Sequence, residues 1–124
     1  MTAARYIVDD VDAAIAFYTE HLGFEVEMHP GPGFAALRRD DLRLLLNTPQ
    51  GPGGSSQAAL DGRSPEPGGW ARVQLVVSDL DAEVARLREA GVAFRTELAE
   101  GRGGRQILVD DPAGNCVELF EPPA

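Results

Sequence analysis

Lysine is missing from this 124-residue chain: all eleven Lys/Arg-type cations are arginines. The absence excludes a lysine Schiff base and a phosphate loop of the usual Gly-Lys-Ser/Thr kind. The glycine-rich pieces Gly51–Gly54 and Gly101–Gly104 are therefore read as loops before phosphate cradles. Cysteine is nearly missing too. Cys116 is alone, so no intramolecular disulfide can form, and a reducing cytoplasmic setting is expected. No apolar run reaches the roughly 18–20 residues of a membrane span. The opening MTAARYIVDDVD places acids where a signal peptide has its apolar run, which predicts a soluble, unprocessed chain. Basic charge is scarce: the net charge is −9, whereas a nucleic-acid partner requires a basic face. What is present, 44% apolar and 25% charged residues, suffices for one domain with a packed core.

The chain shows an internal repeat. Tyr6-Ile7-Val8 reads as a strand and Asp10 as a helix N-cap. Val11, Ala14, Ile15, Tyr18 and Leu22 form one helical stripe that Gly23 closes. Strands are predicted over Phe24 to Met28, Phe34 to Arg38 and Leu42 to Asn47. The stretch 51–69, rich in Gly, Pro and Ser, reads as a linker or loop. The pattern then restarts, with a strand over Val73 to Val77, a cap at Asp79, a stripe of Leu80, Val84 and Leu87, and Gly91 as the stop. A strand over Val92 to Leu98 and a hairpin complete it. Asp10-Val11-Asp12-Ala13 is echoed by Asp79-Leu80-Asp81-Ala82. Each unit of about fifty residues is too small to stand alone, so the expectation is a single α+β domain over 1–124. It comprises a β-α-β-β-β module over about 1–50, the linker 51–69, and a second module over about 70–124.

The closing hairpin is the most informative stretch. Gln106 to Val109 and Cys116 to Phe120 are its strands, and Asp111-Pro112-Ala113-Gly114 is the turn. Alternation points Val117 and Leu119 toward a core. It points Cys116, Glu118 and Phe120 the other way. A carboxylate at position 118 is then either a solvated charge or part of a site.

Three pieces, in this order and on a duplicated unit, resemble the vicinal oxygen chelate superfamily, also called the glyoxalase/bleomycin-resistance/dioxygenase superfamily. They are Val8 to Tyr18 with His21-Leu22-Gly23-Phe24, then Val76 to Asp81, then Asp110 to Asn115 running into Val117 to Phe120. The resemblance implies two tandem βαβββ modules forming a curved, cup-shaped mixed sheet, a homodimer, and a metal or small ligand held in the cup. Metal-dependent members commonly place a His on the first strand of each module and a Glu near the end of each last strand. Here those positions hold Ala3, Arg72, Leu45 and Glu118, so Glu118 is the one matching ligand position. Alanine and leucine offer no donor, and a guanidinium repels a cation. His21, at a helix end, and His29 do not replace the missing ligands.

The expectation is therefore a small-molecule-binding protein with a degenerate metal site and no cofactor, taking an antibiotic or a metabolite as ligand. The alternative is a lyase, isomerase or dioxygenase-type enzyme that uses Glu118 as general base or as ligand to a divalent metal. Candidate ligand-binding residues are Arg5, Arg43, Trp70, Arg72, Gln74, Glu118 and Phe120. Plainer readings stand beside these. Arg72 and Glu118 pair as an ion pair in the place of the metal. Arg5 and Arg43 lie at a solvated rim. Cys116 is a small buried hydrophobe. Trp70 is a wall or lid, or else part of the core or of a dimer interface.

Overall fold

In the computed structural model, which describes residues 2–50 and 53–124, Asp10 begins the first helix. Its backbone is extended (φ −140°, ψ 103°), and its carboxylate accepts a hydrogen bond from the Ala13 N–H at 3.0 Å. The helix α1 (Val11–His21) ends where Gly23 takes φ +73° and the Phe24 N–H returns to the Tyr18 carbonyl at 3.1 Å. Strand β1 (Ala3–Ile7) precedes it, and β2 (Glu25–Gly31), β3 (Phe34–Arg39) and β4 (Leu42–Asn47) follow. The sheet order is β1-β4-β3-β2, with β1 and β4 parallel and the other pairs antiparallel.

The buried side of α1 is Val11, Ala14, Phe17 and Tyr18, with Leu22 just beyond. Ile15, expected on that stripe, is only half-buried, and Phe17 takes its place. Tyr18 is fully buried and meets Tyr6, Phe17 and Phe24 edge-on at centroid distances of 6.5, 5.1 and 5.4 Å. Tyr6 pairs with Leu46 in the ladder, so the face bearing Tyr6, Leu44, Leu46, Ala35 and Leu37 is the one that packs on α1. Ala3, Arg5 and Ile7 with Arg43, Leu45 and Asn47 occupy the opposite face.

The second compact unit, Gly69–Ala124, repeats this plan. It contains β5 (Arg72–Val76), α2 (Leu80–Glu89), β6 (Ala99–Gly101), β7 (Gly104–Asp110) and β8 (Cys116–Glu121), in sheet order β5-β8-β7-β6 with β5 and β8 parallel. The expected α+β class with two βαβββ units is what the structure has. Asp79 caps α2 by accepting from the Ala82 N–H at 3.1 Å, and the Glu121 carboxylate accepts from the Leu80 N–H at 2.8 Å. Arg105, paired across the ladder with Glu121, reaches Asp81 in the first turn of α2 at 2.7 Å. These contacts fix α2 on the face that carries Val117, Leu119 and Glu121. Glu118 and its same-parity neighbours lie on the other face.

Two expectations are corrected. The strand predicted over Val92 to Leu98 is replaced by a single bridge, Phe94 to Val109, then bends at Arg95 and Thr96, and finally the short β6. The reason is local. The Thr96 hydroxyl accepts the Leu108 N–H at 3.1 Å, so a side chain takes the place of the next ladder carbonyl and the pairing breaks. The 51–69 stretch is not featureless either. Residues 51 and 52 lie outside the described residues, but Gly53–Ser56 form a 3₁₀ turn and Ala59 to Arg63 close a tight loop. Buried Asn47 donates to the Thr48 and Ser55 carbonyls and to Ser56 Oγ at 3.1, 3.0 and 3.2 Å. The turn is thereby tied to the end of β4.

Candidate functional site

Parallel pairing of β5 with β8 sets Arg72 beside Cys116, Gln74 beside Glu118 and Val76 beside Phe120. Partners in a parallel ladder share a face, so the alternation that sends Glu118 away from α2 sends Arg72 and Gln74 with it. Their side chains meet there. Arg72 Nε donates to Glu118 Oε1 at 3.0 Å, with Nη2 also 3.0 Å from that oxygen, and Gln74 Nε2 donates to Oε2 at 2.6 Å. Glu118 is only 6% exposed. A carboxylate buried that far is tolerated because both of its oxygens are hydrogen-bonded and its charge is matched. The ion pair weighed from the sequence is therefore present.

The other candidates fall around this cluster or in the first unit. Arg72 Nη1 donates to the Trp70 carbonyl at 3.3 Å, which joins the loop before β5 to the same group. Trp70 is exposed, which excludes a core role within its own unit, and its ring lies under the Arg95 guanidinium at 4.8 Å. Phe120 is half-buried and packs against Gly104, where an added Cβ would stand 2.9 Å from the ring. Cys116 is fully buried, and burial pushes its thiol pKa up although Arg95 and Arg72 oppose the shift. It therefore behaves as a small hydrophobe.

In the first unit, Arg5 Nη1 donates to Asn47 Oδ1 at 2.7 Å, and Arg43 Nη2 bonds Glu27 at 2.5 Å. Glu27 is the extra residue where β2 shifts register against β3, and the bulge also brings it to Arg38 at 3.2 Å. Both candidate arginines of this unit are thus engaged with neighbours, although Arg43 Nε is buried with no hydrogen-bond partner.

Sequence reasoning missed Arg95. Its Nε bonds Asp110 at 2.7 Å, Nη1 the Gly69 carbonyl at 2.5 Å and Nη2 the Gly114 carbonyl at 2.8 Å. Nothing in the run Val92 to Leu98 signals this role, because it depends on the bend at Arg95. A recess of about 590 Å³ among Gln57, Ala59, Arg63, Ser64, Pro65 and Glu66 contains none of the candidates.

The ladders also allow the metal-ligand positions to be compared between units. Arg5 stands beside Leu45 as Gln74 stands beside Glu118, and Ala3 leads its strand as Arg72 does. Ala3 and Leu45 of the first unit thus correspond in register to Arg72 and Glu118 of the second. His29 lies 3.6 Å from Asp12, and His21 packs edge-on against Phe17. Among the described residues, no three His, Cys, Asp or Glu side chains are grouped so as to hold a metal ion. A lone carboxylate already bonded by a guanidinium and an amide is a poor fit for a divalent cation, which requires several N or O donors. No helix of the described residues is long and apolar enough to cross a membrane.

Two βαβββ units, each with its first and last strands paired in parallel, define a class of duplicated α+β proteins. A model of the Glyoxalase/Bleomycin resistance protein/Dioxygenase superfamily matches residues 2–119, and the chain belongs to that superfamily. The uncharacterized protein YurT of Bacillus subtilis (strain 168) is 30% identical over 122 residues, 92% of each chain. The structure of TnmS3, an antibiotic binding protein from Streptomyces sp. CB03234, is 29% identical with a TM-score of 0.72, covering 98% of this chain and 93% of its own. A lactoylglutathione lyase from Agrobacterium tumefaciens is 25% identical with a TM-score of 0.76, covering 98% of this chain and 92% of its own.

Proposed function

We propose that this chain is a small-molecule-binding member of the superfamily with a degenerate metal site. It holds an antibiotic or metabolite against the face of the second sheet that carries Arg72, Gln74, Glu118 and Phe120, with Trp70 at its edge. The reading carries with it a homodimer, as the family resemblance implies, and a cytoplasmic location, as the single cysteine suggests. One observation supports it above the others: Glu118 is buried, and its oxygens are bonded by Arg72 and Gln74. Arg72 occupies a position that holds a metal ligand in metal-dependent members. A guanidinium there brings the positive charge as part of the chain and fixes hydrogen-bond donors on the face. The similarity to an antibiotic binding protein points the same way.

The enzyme reading, with Glu118 as general base, draws on the similarity to the lyase. It is weakened by geometry, because Arg72 and Gln74 already fill three of the carboxylate's four lone-pair sites and only one on Oε2 is left for a substrate proton. Calorimetric titration with Zn²⁺, Ni²⁺, Co²⁺ and Mn²⁺ tests the degenerate site. No stoichiometric binding is expected, and one ion per chain at micromolar strength would overturn the reading. A thermal-shift panel of antibiotics is expected to give ligands that stabilise the native chain and not Arg72→Met. Cleavage of lactoylglutathione that Glu118→Gln abolishes would move the assignment to the enzyme.

A further inference from the structure

Trp70 is 64% exposed, yet its ring is backed by a cation and its backbone is tied to the rest of the second unit. Arg95 lies over one face of the indole at 4.8 Å, and three segments hold that guanidinium: Asp110 at the end of β7, the Gly69 carbonyl before Trp70, and the Gly114 carbonyl in the hairpin turn. Arg72 Nη1 donates to the Trp70 carbonyl at 3.3 Å. The chain enters through Gly68 and Gly69 at φ +111° and +85°, conformations that side-chain-bearing residues rarely adopt. A large aromatic ring left open to water forgoes the stabilisation that burial would give. A ring needed only for packing would be turned inward, whereas this one is backed by a fixed cation and left open.

We infer that Trp70, backed by Arg95, is a stacking platform for a planar aromatic ring that carries an acceptor oxygen. This rests on the proposed binding face, whose edge Trp70 forms. Two features select that ligand class. A guanidinium over one indole face reduces the negative potential of the other, which disfavours a second cation and suits an electron-rich or anionic ring. Arg72 uses three of its five N–H groups on Glu118 and the Trp70 carbonyl, which leaves two to meet a carbonyl or carboxylate oxygen beside the ring. The indole N–H makes no hydrogen bond among the described residues and offers a further donor.

The test uses 2-naphthoate as probe and its saturated counterpart, decahydro-2-naphthoate, as control. Trp70 is the only tryptophan, so one indole N–H resonance reports on it. Naphthoate is expected to shift that resonance and the Arg72 Nε–H resonance together. The saturated acid should bind roughly tenfold more weakly, and Trp70→Leu should weaken naphthoate by a similar factor. Trp70→Phe, which keeps a smaller flat ring, should fall between. Equal naphthoate affinity in Trp70→Leu, with Arg72 still responding, would overturn the platform and leave the binding face standing. Silence at both residues with millimolar naphthoate would overturn both. An indole resonance that moves with protein concentration alone, in step with a dimer mass by light scattering, would assign the ring to a second copy and overturn the proposal.

Discussion

Replacing Arg72 with Met leaves the Glu118 carboxylate almost where water cannot reach it, bonded by Gln74 alone. Stranding one member of a buried pair costs about 3–5 kcal/mol. Here the Glu118 side chain is 8% exposed but the Arg72 side chain is 30% exposed, so solvent enters once the guanidinium is gone. The discount for screening brings the expected loss to about 2–3 kcal/mol. Glu118→Leu should cost less, about 1 kcal/mol, because the released arginine can turn to water and a leucine fills the space. The double variant removes both charges and should lie within about 1 kcal/mol of the native chain, as apolar replacements of buried pairs do. The cycle therefore predicts a coupling of about 2–4 kcal/mol between the two side chains. Urea unfolding followed by Trp70 emission is the suitable assay, since the only tryptophan lies in the unit that carries both substitutions. A chelator should leave the curve unmoved. Additive single effects, or an Arg72→Met chain within about 0.5 kcal/mol of native, would show that the pair does not hold Glu118 in place.

Other consequences are equally direct. At Gly104, φ is +131° and an added Cβ would stand 2.4 Å from the Glu121 carbonyl oxygen, so Gly104→Ala should cost about 2–4 kcal/mol; Gly62→Ala, with φ +90° and open space around it, should cost about 1 kcal/mol in the same melts. Asn47→Ala removes the side chain that gathers Arg5, Ser55 and Ser56, and should lose about 2–3 kcal/mol and speed tryptic cleavage after exposed Arg63. The Cys116 thiol should resist a thiol reagent in the native chain and react at once in denaturant. Its raised pKa means that the unfolded chain gives up the proton first. This contribution to stability is complete below the ordinary thiol pKa and declines as pH climbs through and above it. A melting temperature that rises between pH 8 and 10 and falls when Cys116 is changed to Ala would refute that assignment.

The parts of this chain that rest on local rules could be read from its letters. Asp10 and Asp79 cap their helices because a short carboxylate one residue before an apolar stripe has few better places to go. The Asp111 to Gly114 turn forms because Asp111 accepts from its own downstream N–H groups and Gly114 takes φ +90°. The meeting of Arg72 with Glu118 could be inferred from strand parity once β5 and β8 were taken as neighbours. Other parts needed distance information. Thr96 ends a strand by capturing the N–H of Leu108, twelve residues away, while the run Val92 to Leu98 keeps the composition of a strand. Ser55 and Ser56 look like linker residues until Asn47 is seen to hold them. Arg95 joins β7, the hairpin turn and the chain before Trp70, and no spacing in the sequence encodes three such partners.

The duplication also supplies a control for what the scaffold itself requires. At matching register the first unit sets Arg5 beside Leu45 and the second sets Gln74 beside Glu118, and both build the same four-stranded order around the same parallel pair. The sheet therefore does not need a charge at that place. A half-buried leucine serves in one unit, so the carboxylate in the other is an addition that carries a desolvation cost. Arg72 and Gln74 offset that cost, and Arg72 extends the network to Trp70. A chain selected for stability alone would lose little by adopting the first unit's solution in both places. A buried carboxylate, a guanidinium and an amide kept together on the face away from α2 are what the proposed binding face would account for.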